Sequence, residues 1–188
     1  PLQVDVHDEA ALTRLVAGHD AVVNLVAILH GSEAAFDKTH VQLPQKLARA
    51  CTATGVRRLV HVSALGAALD APSMYQRSKA RGEQALHAAG LDLTLLRPSV
   101  IYGAEDRFLN LFARLQGLFP FMPLAGADTR FQPVWVEDVA QAVVNALQQP
   151  ASVGQTYEAV GPDVLTLREI VQLAGRLTGN ERPVIGLP

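Results

Sequence analysis

The sequence predicts an α/β fold: a parallel sheet wound by helices on both faces. Two observations carry this. Short apolar runs, of which Ala21-Val22-Val23-Asn24-Leu25-Val26-Ala27 is the clearest, alternate with amphipathic stretches of helix length, and that alternation marks βαβ units joined by right-handed crossovers. Polar or conformationally special residues (Asp5, Ser63 and Arg97-Pro98) fall at the expected carboxyl ends of strands. That is the edge at which such sheets bind ligands.

Residues 2–6 are expected as a short strand. Asp8 is a good helix N-cap and Glu9 suits a first turn; Leu12, Leu15 and Val16 follow at helical spacing, and Gly18 is a natural stop. The apolar run 21–29 reads as a strand buried on both faces. A long helical run, 33–54, closes at Gly55, with Pro44 inside it as a kink or a break. Residues 58–63 form the next buried strand, 74–89 a strong helix capped by Gly90, and 93–96 a strand ended by Arg97-Pro98. A helix around 107–118 precedes an irregular stretch holding Pro120, Pro123, Gly126 and Asp128. Residues 131–136 read as strand, and Glu137-Asp138 open a helix through Leu147 with acids at its favourable end. Residues 155–160 are a strand, Thr166-Leu167-Arg168-Glu169 is a capping box for a helix to Leu177, and 183–187 is a last extended piece.

Composition bounds the function. With 188 residues, 49% of them apolar, the chain can bury a sizeable core. A net charge of −2 gives no basic surface for nucleic acid and no polybasic membrane patch. The single cysteine, Cys51, excludes an internal disulfide and sits among Leu47, Ala48 and Ala53, the setting of a small buried residue rather than a reactive thiol. No apolar run approaches the ~18–20 residues of a membrane span, and the N-terminus has no signal-peptide pattern. The six histidines are scattered without metal-ligand spacing. A cytoplasmic setting is expected, with peripheral attachment to the inner membrane alongside it.

The chemistry-bearing stretch is Pro72-Ser73-Met74-Tyr75-Gln76-Arg77-Ser78-Lys79. Positions i and i+4 share a helix face, so a lysine ammonium beside Tyr75 is expected to favour the phenolate and lower its pKa, which suits proton exchange near neutral pH. With 3 Tyr and 3 Lys in 188 residues, chance gives about 0.05 such pairs, so the pair gains its weight from its surroundings.

Those surroundings resemble the short-chain dehydrogenase/reductase superfamily. The motifs are Val4-Asp5-Val6-x-Asp8, Gly18-His19-Asp20-Ala21-Val22-Val23-Asn24-Leu25-Val26-Ala27, Val60-His61-Val62-Ser63, Tyr75-x-x-x-Lys79, Leu96-Arg97-Pro98-Ser99-Val100-Ile101-Tyr102-Gly103 and Pro133-Val134-Trp135-Val136-Glu137-Asp138-Val139-Ala140. The last two are similar to the extended or atypical, epimerase-like branch. Leu65-Gly66-Ala67, Ser73-Met74-Tyr75 and Asp106-Arg107-Phe108-Leu109-Asn110 look like bacterial relatives of the nucleotide-binding accessory subunit of respiratory complex I.

The resemblance implies a Rossmann-like, doubly wound sheet lacking its first strands and glycine-rich turn, with a small C-terminal substrate-side α/β region. It divides the chain into a partial NAD(P)-binding domain, residues 1–100, and a substrate-side region, 101–188, of which 131–148 returns to the core. Asp5 would accept from the adenine amino group, with the Val6 backbone beside it. Val26 and Ala27 would line the cofactor ribose through their backbone. Tyr75 would transfer the proton, Lys79 would hold the nicotinamide ribose, and Ser63 would either bond the substrate oxygen or cap its own loop. Pro98 and Val100 would pack near the nicotinamide. Trp135 and Asp138 read as structural. The cofactor would be NAD or NADP, with NADP favoured by the resemblance, beside an unidentified small-molecule substrate, and a protein partner or a membrane surface as docking site.

Two features depart from the family. The 14 glycines contain no G-x-G-x-x-G turn with which backbone N–H groups approach a pyrophosphate; some 50–60 upstream residues that carry it in the family are expected to precede Pro1. The family's usual helix asparagine, which orders a proton-relay water, is replaced by His40, expected as a helix-surface residue with a relay role as the alternative. The implied function is an NAD(P)-dependent oxidoreductase or epimerase, the alternative a non-catalytic NADP(H)-binding accessory or assembly protein. Because the phosphate cradle is missing from these 188 residues, the chain by itself is expected to bind NADPH more weakly than micromolar; a fluorescence titration giving micromolar affinity would refute this.

Overall fold

The computed structural model describes residues 2–187. It forms two compact units, one taking in the chain up to Pro98 together with Gln141–Ala159, the other Ser99–Ala140 and the chain from Val160 on.

The first unit is a four-stranded parallel sheet in the order β1-β2-β3-β8, formed by Ala21–Asn24, Arg58–Val62, Asp92–Pro98 and Thr156–Ala159. Helices α1 (Glu9–Val16), α3 (Leu43–Thr54) and α4 (Met74–His87) cover one face. Their core joins Leu12, Leu47, Cys51 and Leu86 to Leu59, Leu93 and Leu95 of the strands. Alternate residues, Val23, Val60, Val62 and Leu96, point to the other face and pack on Ala142, Val143, Ala146 and Leu147 from the end of α6 (Val136–Gln148). Burial of both faces accounts for the mostly apolar make-up of the central strands β2 and β3, whereas the edge strand β8 is largely exposed. This is an α/β, Rossmann-like fold on a parallel sheet.

Three local expectations are corrected. Residues 2–5 form no strand. The Asp5 carboxylate accepts the His7 N–H at 2.8 Å and the Asp5 carbonyl accepts the Asp8 N–H at 3.0 Å, which bends the chain into α1 instead. Strand β1 stops at Asn24 rather than running to residue 29, because the Asn24 side chain takes the Val26 N–H at 3.1 Å and turns the chain out of the ladder. The run 33–54 stays helical but changes pitch: α2 (Glu33–Asp37) passes into a π segment, Lys38–Gln42, and then α3. Pro44, with no N–H to give the His40 carbonyl four residues back, is carried just past that widened turn.

The freed His40 carbonyl faces α4 at Gly82, where even a Cβ atom would collide with the carbonyl oxygen. Elsewhere α4 is tied to β3 by Glu83, whose carboxylate takes two Arg97 guanidinium bonds at 3.0 and 2.5 Å, with 5% of its side chain exposed.

The second unit packs α5 (Leu109–Leu118) against α7 (Leu167–Leu177), with three short strand pairs around them: β4 (Ile101–Tyr102) with β7 (Val134–Trp135), β5 (Met122–Ala125) with β10 (Val184–Leu187), and β6 (Arg130–Phe131) with β9 (Leu165–Thr166). The stretch expected as irregular holds β5, whose Met122 and Leu124 alternate inward onto Val171 and Ala127. Buried Gln116 clamps the unit by donating to the Val171 carbonyl at 2.7 Å and accepting the Arg182 N–H at 3.2 Å. Among the described residues no helix is long and apolar enough to cross a membrane.

Gly82→Ala is expected to destabilise the protein by about 1–3 kcal/mol, the usual range for overpacking a closed contact. Urea denaturation measures it, and an unchanged midpoint would show that α4 does not rest on the His40 carbonyl.

Candidate functional site

The site is built where β2 ends and α4 begins. After β2 the chain is held to β3, Ser63 N–H donating to the Leu96 carbonyl at 2.7 Å and Leu65 N–H to the Pro98 carbonyl at 2.9 Å. This places Pro98 beside the Ser63 loop. Gly66, at φ +73°, lies under the side chain of Gln76, which reaches back to the Leu65 carbonyl at 3.2 Å. The first turn of α4 is fixed by the Ser73 cap, which accepts the Gln76 N–H at 3.1 Å, and by Arg77, which donates to the Ala71 and Pro72 carbonyls at 2.8 Å each. The loop carrying Ser63 and the turn carrying Tyr75 are therefore set by the same few bonds.

Tyr75 is half-buried, its ring edge-on to His40 at 5.4 Å and to Phe36 at 6.3 Å. Lys79, one turn on, is 2% exposed, and its ammonium donates to the Val62 carbonyl at 2.9 Å. Ser63 is equally buried, and its Oγ is a buried hydroxyl without a protein partner. Burial lowers the Lys79 pKa to about 8, opposed by the Glu83 carboxylate. The expected depression of the Tyr75 pKa is corrected. Burial pushes it up; the Lys79 ammonium donates one of its three N–H groups to the Val62 carbonyl.

The remaining assigned residues lie as follows. Asp5 stands in the turn before α1, one carboxylate oxygen occupied by the His7 N–H. Val6 and Val26 both line a shallow, mostly apolar cleft of about 300 Å³ with Leu12, Val16, Asn24 and Leu43. Val26 and Ala27 belong to the loop after β1, exposed or nearly so. Val100 is in the second unit, where its carbonyl accepts the Val134 N–H at 3.0 Å.

His40 is not a surface residue. It is 2% exposed in the π segment, its Nε2 3.1 Å from the Ile28 N–H and its Nδ1 2.8 Å from Ser78 Oγ. Burial, and then the Lys79 charge, lowers its pKa to about 4. His61, also buried, meets the Asn24 amide at 3.0 Å; burial first, then Lys79 and His40, lower it to about 3. The sequence reading gave Ser78 and Asn24 no role. Asn24 had a signal, as the one polar residue interrupting the run 21–29; for Ser78 the signal was its place inside the Tyr75–Lys79 turn.

A family model described as NAD(P)H-binding matches residues 1–150. The chain belongs to this NAD(P)H-binding family. It is 36% identical over 177 residues to the NADH dehydrogenase [ubiquinone] 1 alpha subcomplex subunit 9, mitochondrial, of Arabidopsis thaliana, covering 92% of this chain and 44% of that protein. It is 29% identical over 186 residues to a ceramide reductase of Caulobacter vibrioides, covering 98% and 58%. Among solved structures it resembles the dTDP-glucose 4,6-dehydratase of Streptomyces venezuelae, solved with NAD bound, at a TM-score of 0.85 and 25% identity over 98% of this chain and 66% of that one. The superfamily and the complex I likeness expected from the motifs are those found. The chain spans about half the length of the complex I relatives it matches.

The residues present fit one part of a dinucleotide. Buried Ser63 Oγ and the Lys79 ammonium offer polar contacts at the Tyr75 end, whereas no glycine-rich turn among these residues offers backbone N–H groups to a pyrophosphate. Among the described residues no group of three or more His, Cys, Asp and Glu side chains could hold a metal ion.

The buried ammonium has a measurable cost. Its folded pKa, about 8, lies below its unfolded value, 10.5, so between those values the unfolded chain binds more protons and stability rises with pH; below about pH 8 a penalty of about 3 kcal/mol is complete. Lys79→Met should therefore raise stability near pH 7 by about 1–2 kcal/mol after the lost carbonyl bond is subtracted, and that advantage should shrink toward pH 10. Urea denaturation at both pH values checks this; a variant less stable at both would contradict it.

Proposed function

We propose that this protein holds a nicotinamide dinucleotide as an accessory or assembly component of the complex I type, with the dinucleotide fixing structure more than feeding turnover. The observation that carries this reading is the state of the acid–base pair. Burial pushes the Tyr75 pKa up, which disfavours the phenolate, while Lys79 gives one N–H to the Val62 carbonyl and keeps two with which to hold a ribose hydroxyl. The likeness to the subunit 9 proteins of respiratory NADH dehydrogenases adds to it. In this reading Asp5 and Val6 meet the adenine, Val26 and Ala27 the ribose, and Lys79 and Pro98 the nicotinamide end. The ligand is NADP(H) in preference to NAD, and residues 101–188 recognise a partner protein or a small molecule.

A second reading, an oxidoreductase or epimerase, is favoured by one feature: Ser63, Tyr75 and Lys79 are all present, and the buried Ser63 hydroxyl has no protein partner. In this reading hydride passes to or from the nicotinamide while Tyr75 exchanges the proton of a substrate hydroxyl or carbonyl and Ser63 holds that oxygen.

One experiment separates them. In the full-length protein Lys79→Ala should weaken NADPH binding about tenfold or more, as loss of a charged hydrogen bond does, while Tyr75→Phe should leave affinity within about twofold. The native protein should turn over no member of a carbonyl and carbinol panel. Turnover abolished by Tyr75→Phe would establish the enzyme reading instead.

A further inference from the structure

The proposed function leaves His40 without a task, yet both of its ring nitrogens are engaged. The Ile28 N–H lies 3.1 Å from Nε2. A backbone N–H only donates, so Nε2 accepts and carries no proton. A neutral imidazole then has its one N–H on Nδ1, which faces Ser78 Oγ at 2.8 Å and donates to it. The Ser78 hydroxyl sends its own proton on to the Tyr75 carbonyl at 2.7 Å. The three bonds run in one direction, from the loop after β1, through the π segment, to the first turn of α4.

We infer that His40 is a positioning residue with its tautomer fixed, tying the 25–28 loop to the helical turn that carries Tyr75, and that it is not a proton relay. The inference rests on the proposed function for what the loop and the turn are positioned to do; the tautomer itself rests only on the bonds. A relay would need a ring nitrogen free to exchange with the Lys79 end, and neither is. Burial, and then the Lys79 charge, oppose a second proton on the ring. The loop is pinned a second time by Asn24, whose carbonyl oxygen takes the Val26 N–H while its amide donates to His61 Nδ1. Alternate backbone N–H groups, Val26 and Ile28, are thus held from beneath on either side of Ala27.

Two measurements on the full-length protein test this. In ring-nitrogen NMR spectra of histidine-labelled protein, His40 should show Nδ1 protonated and no titration between about pH 5 and 8; protonated Nε2, or a titration in that window, overturns the inference. NADPH titrations then compare His40→Gln with His40→Asn. The glutamine carbonyl reaches the place of Nε2 and keeps an acceptor for the Ile28 N–H; asparagine is too short to do so. Affinity should stay within about threefold in His40→Gln and fall about tenfold in His40→Asn. Equal losses in the two variants, as a mere packing role would give, overturn the positioning role. A native protein that binds no dinucleotide sinks the functional reading alone, and the ring-nitrogen spectrum still decides the tautomer.

Discussion

The contact on which the first unit's chemistry depends is the closure of α4 onto the His40 carbonyl at Gly82. Pro44 gives that carbonyl no N–H, and His40 itself lies in the π segment. Only a residue without a Cβ can lie there. The close approach brings His40 within hydrogen-bonding distance of Ser78 and edge-on to Tyr75. A larger residue at position 82 would push apart the two elements that carry the functional side chains, so the packing of the helices and the geometry of the site are one constraint.

That closure also concentrates basic groups where water does not reach. Lys79, His40 and His61 are each about 2% exposed or less. In such a setting the charged form of each is disfavoured by lost hydration and by its neighbours. The two histidines respond by staying neutral, each with a nitrogen accepting a hydrogen bond. Lysine keeps most of its charge at neutral pH by donating to the Val62 carbonyl and by the nearness of Glu83. Glu83 in turn is shared with Arg97, which ties the electrostatics of the site to the end of β3.

Much of this was legible in the residues. Alternating apolar runs gave the parallel sheet, and strand-end motifs gave the family. The miss at residues 2–5 came from reading Asp5 as a strand end when its carboxylate closes a turn. The end of β1 was misjudged because a continuous apolar run does not reveal that Asn24 bonds the next N–H but one. The surface expectation for His40 is the general one for a histidine in a helix, and nothing in the run 33–54 marks the π turn that carries it. The Tyr75 pKa was taken from spacing alone, and spacing cannot say that Lys79 points its ammonium at a backbone carbonyl.

The buried ammonium gives the holding role a thermodynamic basis. A lysine whose pKa is pulled down by burial is a group that a nearby anion stabilises, because the anion favours the form that burial disfavours. In the proposed reading the ribose hydroxyls of a dinucleotide accept from the Lys79 ammonium, and binding to the folded state stabilises it by mass action. Burial works against proton transfer too. It pushes the Tyr75 pKa up, which disfavours the phenolate that proton transfer needs. In the proposed reading the site holds a ligand that stabilises the fold, and His40 sets the loop beneath it.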